Sequence, residues 1–161
     1  MNPPHVYHTI GTMSGSSLDG LDVVYCEMRS EPEFMYSILA ANTFQYSAEV
    51  KQYLKNIIAD PKKDYTSEHN YFDTLSAAFI REFVQENNIT KIDFIAAHGH
   101  TIFHYPEKKI TLQIGNGKKI AEEMHCPVIV NFRQADIDAG GQGAPLVPIA
   151  DKLFLMIFLP V

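Results

Sequence analysis

The chain has 161 residues, enough for one domain with a real core, and its 46% hydrophobic and 20% charged residues are ordinary for a globular protein. A formal net charge of -6 and the lack of a basic patch, with Lys108-Lys109 and Lys118-Lys119 no more than solvated pairs, argue against a nucleic-acid partner. No apolar stretch approaches membrane-span length and no leader pattern opens the chain, so a cytoplasmic protein with no membrane partner is expected.

Val6 to Ile10 reads as a first strand and Leu21 to Met28 as a second. Between them lies Gly11-Thr12-Met13-Ser14-Gly15-Ser16-Ser17-Leu18-Asp19-Gly20-Leu21-Asp22. A glycine- and hydroxyl-rich turn between strands presents unpaired N–H groups that can cradle phosphate oxygens. Asp19 and Asp22 add hard oxygen donors suited to Mg²⁺ or its waters. An ordinary hairpin turn uses the same residue types, so composition alone leaves both readings open.

Phe34 to Phe44 reads as a third strand after the turn Glu31-Pro32-Glu33, completing an antiparallel meander. Ser47 then caps a helix over 48–58, whose Val50, Tyr53, Leu54, Ile57 and Ile58 share one face; Asp60-Pro61 stops it. Ser67 to Asn88 forms a longer helix with Tyr71, Phe72, Leu75, Ala78, Phe79, Phe83 and Val84 on its apolar face. Ile92 to His98 is a largely apolar strand, central in its sheet. Ile110 to Ile114 is a short strand, Lys118 to Met124 a helix and Val128 to Val130 a further strand; Phe132 to Pro145 reads as a polar, glycine-rich loop. A meander followed by strands reached through helices predicts an α/β fold, a mixed sheet flanked by helices in the order of the ribonuclease H-like, actin-like ATPases.

Asp136 lies in the loop after an apolar strand, where open α/β sheets bind ligands, and its carboxylate could take a proton from an attacking nucleophile. Asp138 is its local rival, and both could simply face water. His98 ends a strand and could either donate a hydrogen bond to a substrate or orient a nearby loop. His98, His100 and His104 have no carboxylate or cysteine at ligand spacing, so no metal site of their own is expected. Gly115-Asn116-Gly117 opens a helix whose N–H groups could meet an anion, although a simple turn accounts for it as well. Cys26 and Cys126 read as buried free thiols in a reducing compartment. Neither a Gly-x-x-x-x-Gly-Lys-Ser/Thr phosphate loop nor a Gly-x-Ser-x-Gly elbow occurs.

Four segments together resemble the anhydro-N-acetylmuramic acid kinases of bacterial peptidoglycan recycling. They are 11–22; His98-Gly99-His100-Thr101; Thr111-Leu112-Gln113-Ile114-Gly115; and Phe132-Arg133 through Asp136 to Gly140-Gly141-Gln142-Gly143-Ala144-Pro145-Leu146-Val147-Pro148. The resemblance implies an actin-like sugar-kinase lobe over 1–154, with ATP and Mg²⁺ as co-substrates and 1,6-anhydro-N-acetylmuramic acid as acceptor. It further implies a reaction in which water opens the anhydro bridge while the γ-phosphoryl group passes to O6. Gly15, Ser16, Ser17, Leu18, Asp19, Gly20, Leu21 and Asp22 match the ATP phosphate loop, Asp136 the catalytic base, and His98, Gly141 and Gln142 fall in segments assigned to the sugar. Ser16 stands where the family usually has Thr, and His100 where it usually has Gln. The resemblance also implies a homodimer.

Members of this family are more than twice as long, and the apolar tail at 155–161 departs from their pattern. The expectation is therefore a truncated lobe, by frameshift or premature stop, with little or no kinase activity by itself. The alternative to a working kinase is such an inactive lobe, retaining at most weak phosphate or partner binding. A fragment of an actin-like or heat-shock-type ATPase is disfavoured by the segment around Asp136.

Overall fold

The computed structural model describes residues 5–29, 34–59 and 64–155. The expected turn Glu31-Pro32-Glu33, the stop at Asp60-Pro61 and the tail after 155 lie outside the described residues. Elements follow in the order β1 (Val6–Ser14), β2 (Gly20–Arg29), β3 (Met35–Gln45), α1 (Ala48–Ala59), α2 (Thr66–Glu86), β4 (Phe94–Tyr105), β5 (Ile110–Ile114), α3 (Lys118–Met124), β6 (Val128–Ile129), α4 (Phe132–Asp138) and α5 (Val147–Leu155).

Strands β1, β2 and β3 form the expected antiparallel meander, and β4 joins β1 in parallel. On its other edge β4 pairs first with β6, in parallel, and then with β5, antiparallel. The order β3-β2-β1-β4-β6, with β1, β4 and β6 parallel, is the ribonuclease H-like arrangement; β5 is a short addition along the same edge. The parallel strands all run one way, so the ends of β1 and β6 and the midpoint of β4 fall at one edge of the sheet. That edge is where an open α/β sheet receives a ligand.

The helical periods of the sequence translate into packing. Leu54 and Ile57 of α1 are buried, while Ile58, expected on the same face, is 45% exposed. Phe72, Ala77, Ile80 and Phe83 of α2 are buried against Ile10, Leu21, Val23 and Ile95 of the sheet in one apolar cluster. Each such large side chain contributes roughly 1.5–3 kcal/mol on leaving water. Tyr71 remains partly exposed, its ring 4.2 Å from that of Tyr53 on α1. Ser47 caps α1 as expected, its hydroxyl accepting from the Val50 N–H at 3.3 Å. No described helix is long and apolar enough to cross a membrane.

Several boundaries differ from the sequence expectation. β1 runs on to Ser14, so Gly11 to Ser14 are strand and the turn narrows to 15–19. β4 does not stop at His98; it bends at Gly99, where φ is +75°, and continues to Tyr105 because β5 supplies a pairing partner. The stretch after Val130 is no loop at its start: Phe132 to Asp138 form α4, placing Asp136 on a helix. Helix α5 likewise has no counterpart among the expected elements. Cys26 and Cys126 are free but only half-buried, and burial raises both thiols above their usual range.

Candidate functional site

The turn at 15–19 closes with Leu18 N–H donating to the Gly15 carbonyl at 3.2 Å. Leu18 adopts a left-handed φ of 59° with its side chain buried, which anchors the turn from beneath while Ser16, Ser17 and Asp19 stay exposed. Above Gly15 the nearest atom to an added Cβ would be Ser17 Oγ at 3.5 Å, so this position is open to a ligand. Gly20 faces the other way: a Cβ there would overlap the Phe44 carbonyl oxygen. Leu21 points into the core and is 1% exposed. The exposed Asp22 carboxylate accepts from the Thr43 hydroxyl at 2.6 Å. Of the eight residues expected to bind phosphate or Mg²⁺, Gly15, Ser16, Ser17, Asp19 and Asp22 thus offer groups outward, whereas Leu18, Gly20 and Leu21 are scaffold.

Beneath the turn lies a buried polar network. Tyr46 donates from its hydroxyl to Ser14 Oγ at 2.8 Å, and Ser14 Oγ lies 2.9 Å from His100 Nδ1. His100 is wholly buried, so it is a support of the turn and not a surface group. Burial, with His98 nearby, holds its pKa down at about 4, and burial pushes the Tyr46 phenol up to about 12. The network is therefore uncharged at neutral pH.

On the other side of Gly99 stands His98, half-buried. Its Nδ1 is 3.1 Å from the Gly99 carbonyl, which can only accept, so Nδ1 carries the proton. Its Nε2 receives Arg133 Nε at 3.0 Å and so must be the bare nitrogen. Burial and the Arg133 cation both lower its pKa. Arg133 also donates from Nη1 to the Gly143 carbonyl at 3.2 Å.

Helix α4 carries Arg133 and, three residues on, Asp136. Asp136 Oδ2 accepts from the Gly143 N–H at 2.7 Å, and its main-chain carbonyl accepts from the Gly141 N–H at 2.8 Å. The chain after α4 therefore folds back over the helix. Gly141 must lack a side chain, because a Cβ there would overlap the Asp136 carboxylate. One carboxylate oxygen is committed to the main chain, and Oδ1 is left open among the described residues. Asp138 turns to Gln134, which donates to it at 2.8 Å, and Gln142 is exposed beside Gly141.

The second glycine turn, 115–117, has its donors filled by α2. His69 Nδ1 accepts from the Gly115 N–H at 3.1 Å, and the buried Asp73 carboxylate accepts from Gly117 and Lys119 N–H at 3.1 and 3.4 Å. Burial raises the Asp73 pKa against the pull of these bonds. The anion at this helix start is the protein's own carboxylate.

A sequence profile of the anhydro-N-acetylmuramic acid kinase family matches residues 7–157. The chain belongs to that family. The anhydro-N-acetylmuramic acid kinase of Azorhizobium caulinodans is 36% identical over 152 residues, 87% of this chain and 40% of that protein. The one from Francisella tularensis subsp. novicida is 36% identical over 163 residues, covering 91% of this chain and 41% of its own. The chain thus spans about two fifths of the length of the curated kinases it matches. Among solved structures, Thermus thermophilus RuvC aligns over 98% of this chain and 84% of its own, at 13% identity and a TM-score of 0.39.

Sequence reasoning alone did not single out Ser14, Tyr46, Arg133 or Asp73. Arg133 stands within the kinase-like segment, and that was its only signal. Ser14, Tyr46 and Asp73 owe their roles to partners 32 to 86 residues away along the chain.

Proposed function

We propose that the chain forms the phosphate-binding and proton-accepting lobe of an ATP- and Mg²⁺-dependent kinase. Its acceptor is 1,6-anhydro-N-acetylmuramic acid, whose anhydro bridge is opened by water as O6 is phosphorylated, a step of peptidoglycan recycling. The observation that carries this reading is Asp136 itself: a half-buried carboxylate with one oxygen fixed by Gly143 and the other open, on the helix that follows a parallel strand.

The residues fit the co-substrates. Exposed Ser16 and Ser17 hydroxyls, the Asp19 carboxylate and the open Gly15 provide hard oxygens and close main-chain approach for a magnesium triphosphate. Asp22 stands at the same strand end for a Mg²⁺-bound water. When bound, ATP supplies the phosphoryl group and Mg²⁺ offsets its charge. Asp136 accepts a proton from the attacking water at Oδ1, with Gly143 N–H holding the carboxylate in place. Gly141 and Gln142 present the exposed loop to the sugar. With both ring nitrogens engaged, His98 serves by orienting this loop. The whole kinase is proposed to be cytoplasmic, where ATP is available, and homodimeric.

Because the chain spans about two fifths of its relatives, a second reading has support: this length binds nucleotide without turnover. Calorimetric titration of Mg-ATP into the full chain, followed by an ADP-release assay with and without the anhydro sugar, separates the two. Binding that weakens in Asp19→Asn and persists in Asp136→Asn is expected. Sugar-dependent ADP formation would remove the second reading, and absence of both binding and turnover would remove the first.

A further inference from the structure

Arg133 and Asp136 are three residues apart on α4, a spacing at which opposite charges on a helix ordinarily meet. They do not pair here. The guanidinium is drawn to the bare Nε2 of His98 at 3.0 Å and to the Gly143 carbonyl at 3.2 Å, and it forms no ion pair among the described residues. A cation bonded to a neutral ring beside an available carboxylate is an unusual choice, since charge-assisted, bidentate pairing with the carboxylate is the stronger bond. Two features enforce it. His98 is locked with its proton on Nδ1 by the Gly99 carbonyl, so Nε2 can only accept. Gly143 sits against α4, its added Cβ falling 3.0 Å from the Arg133 carbonyl oxygen, and offers its two main-chain groups separately: the carbonyl to Arg133, the N–H to Asp136.

We propose that His98 and the Gly143 carbonyl hold Arg133 away from Asp136, keeping the carboxylate unpaired and able to accept a proton. His98 and Arg133 are thus positioning residues, and neither needs to touch the substrate. The functional meaning rests on the reading of Asp136 as proton acceptor. The charge separation itself does not, and it is tested without nucleotide or sugar.

The experiment follows the Asp136 carboxyl carbon by NMR through a pH titration of the full chain, assigned with Asp136→Asn. In His98→Ala the freed guanidinium swings to the carboxylate, and the resonance moves at a pH lower by about one unit than in the unsubstituted chain. His98→Gln keeps an acceptor where Nε2 stood and restores the original titration. His98→Ala combined with Arg133→Ala removes the shift. A further reading needs no variant that might misfold: the His98 ring nitrogens should show a protonated Nδ1 and a bare Nε2. An unmoved or higher-pH titration in His98→Ala, or a ring protonated on Nε2, overturns the proposal. Failure of Mg-ATP to bind would sink the kinase reading and leave this result standing.

Discussion

The turn at 15–19 hangs from β1 and β2, which pair along nine residues over a buried apolar core. The Asp136 loop hangs from a seven-residue helix and a few main-chain bonds at the surface. The first is held by pairing and packing, where an error spreads through the core. The second is held by polar geometry, where an error moves one carboxylate. Packing and polar geometry are thereby divided between the two regions.

Two glycines expose that separation, since each excludes a Cβ by overlap with an oxygen. Gly20→Ala pushes on the β3 main chain and should cost about 3 kcal/mol or more, read as a lowered midpoint in urea. A loss under about 1 kcal/mol there would show the turn to be less dependent on its strands than argued. A comparable test uses pH. His100 has its pKa held down in the folded protein, so the unfolded chain takes up the proton first as pH falls. Stability from this residue is complete above about 6.5, the unfolded value, and is lost as pH falls toward 4. The full effect is about 3 kcal/mol, and His100→Gln should flatten that part of the stability-pH curve.

Ser14→Ala strips the hydroxyl that Tyr46 and His100 share and leaves buried polar atoms unpaired, at about 1–3 kcal/mol by thermal unfolding. The smallest effect on stability belongs to the loop. Gly141→Ala should change unfolding by less than about 1 kcal/mol, because the residue is exposed. It nevertheless displaces the Asp136 carboxylate, so Gly143 N–H should lose its hydrogen-exchange protection. A Gly141→Ala chain as unstable as Gly20→Ala would erase the contrast.

The sequence discloses these regions unequally for the same reason. The meander and the two long helices are legible because alternation and helical spacing repeat over many residues, and Val23, Leu54, Phe72 and Phe83 are buried where those periods put them. Helix α4 is too short to show a period: Phe132 and Ile137 are its apolar positions, and Asn131 before it has a left-handed φ of 63° that favours a turn reading. Proline at the second position of α5 is a usable start signal, but it stands just after the loop-favouring glycines at 140, 141 and 143. The continuation of β4 past Gly99 depends on β5, so no local pattern announces it. Asp136 was visible as a candidate by its place after a strand. The grip of Gly143 upon it, and that of His98 on Arg133, arise from folding back and had no linear trace.

Asp73 carries one last consequence. Its carboxylate fills the donors of the Gly117 turn, which lies beside Gly99 at the same part of the sheet as the candidate site. The main-chain donors of residues 117 and 119 are therefore already taken by a carboxylate of the chain itself. A tethered internal anion thus fills this glycine turn from within, whereas the turn at 15–19 keeps Ser16, Ser17 and Asp19 facing outward.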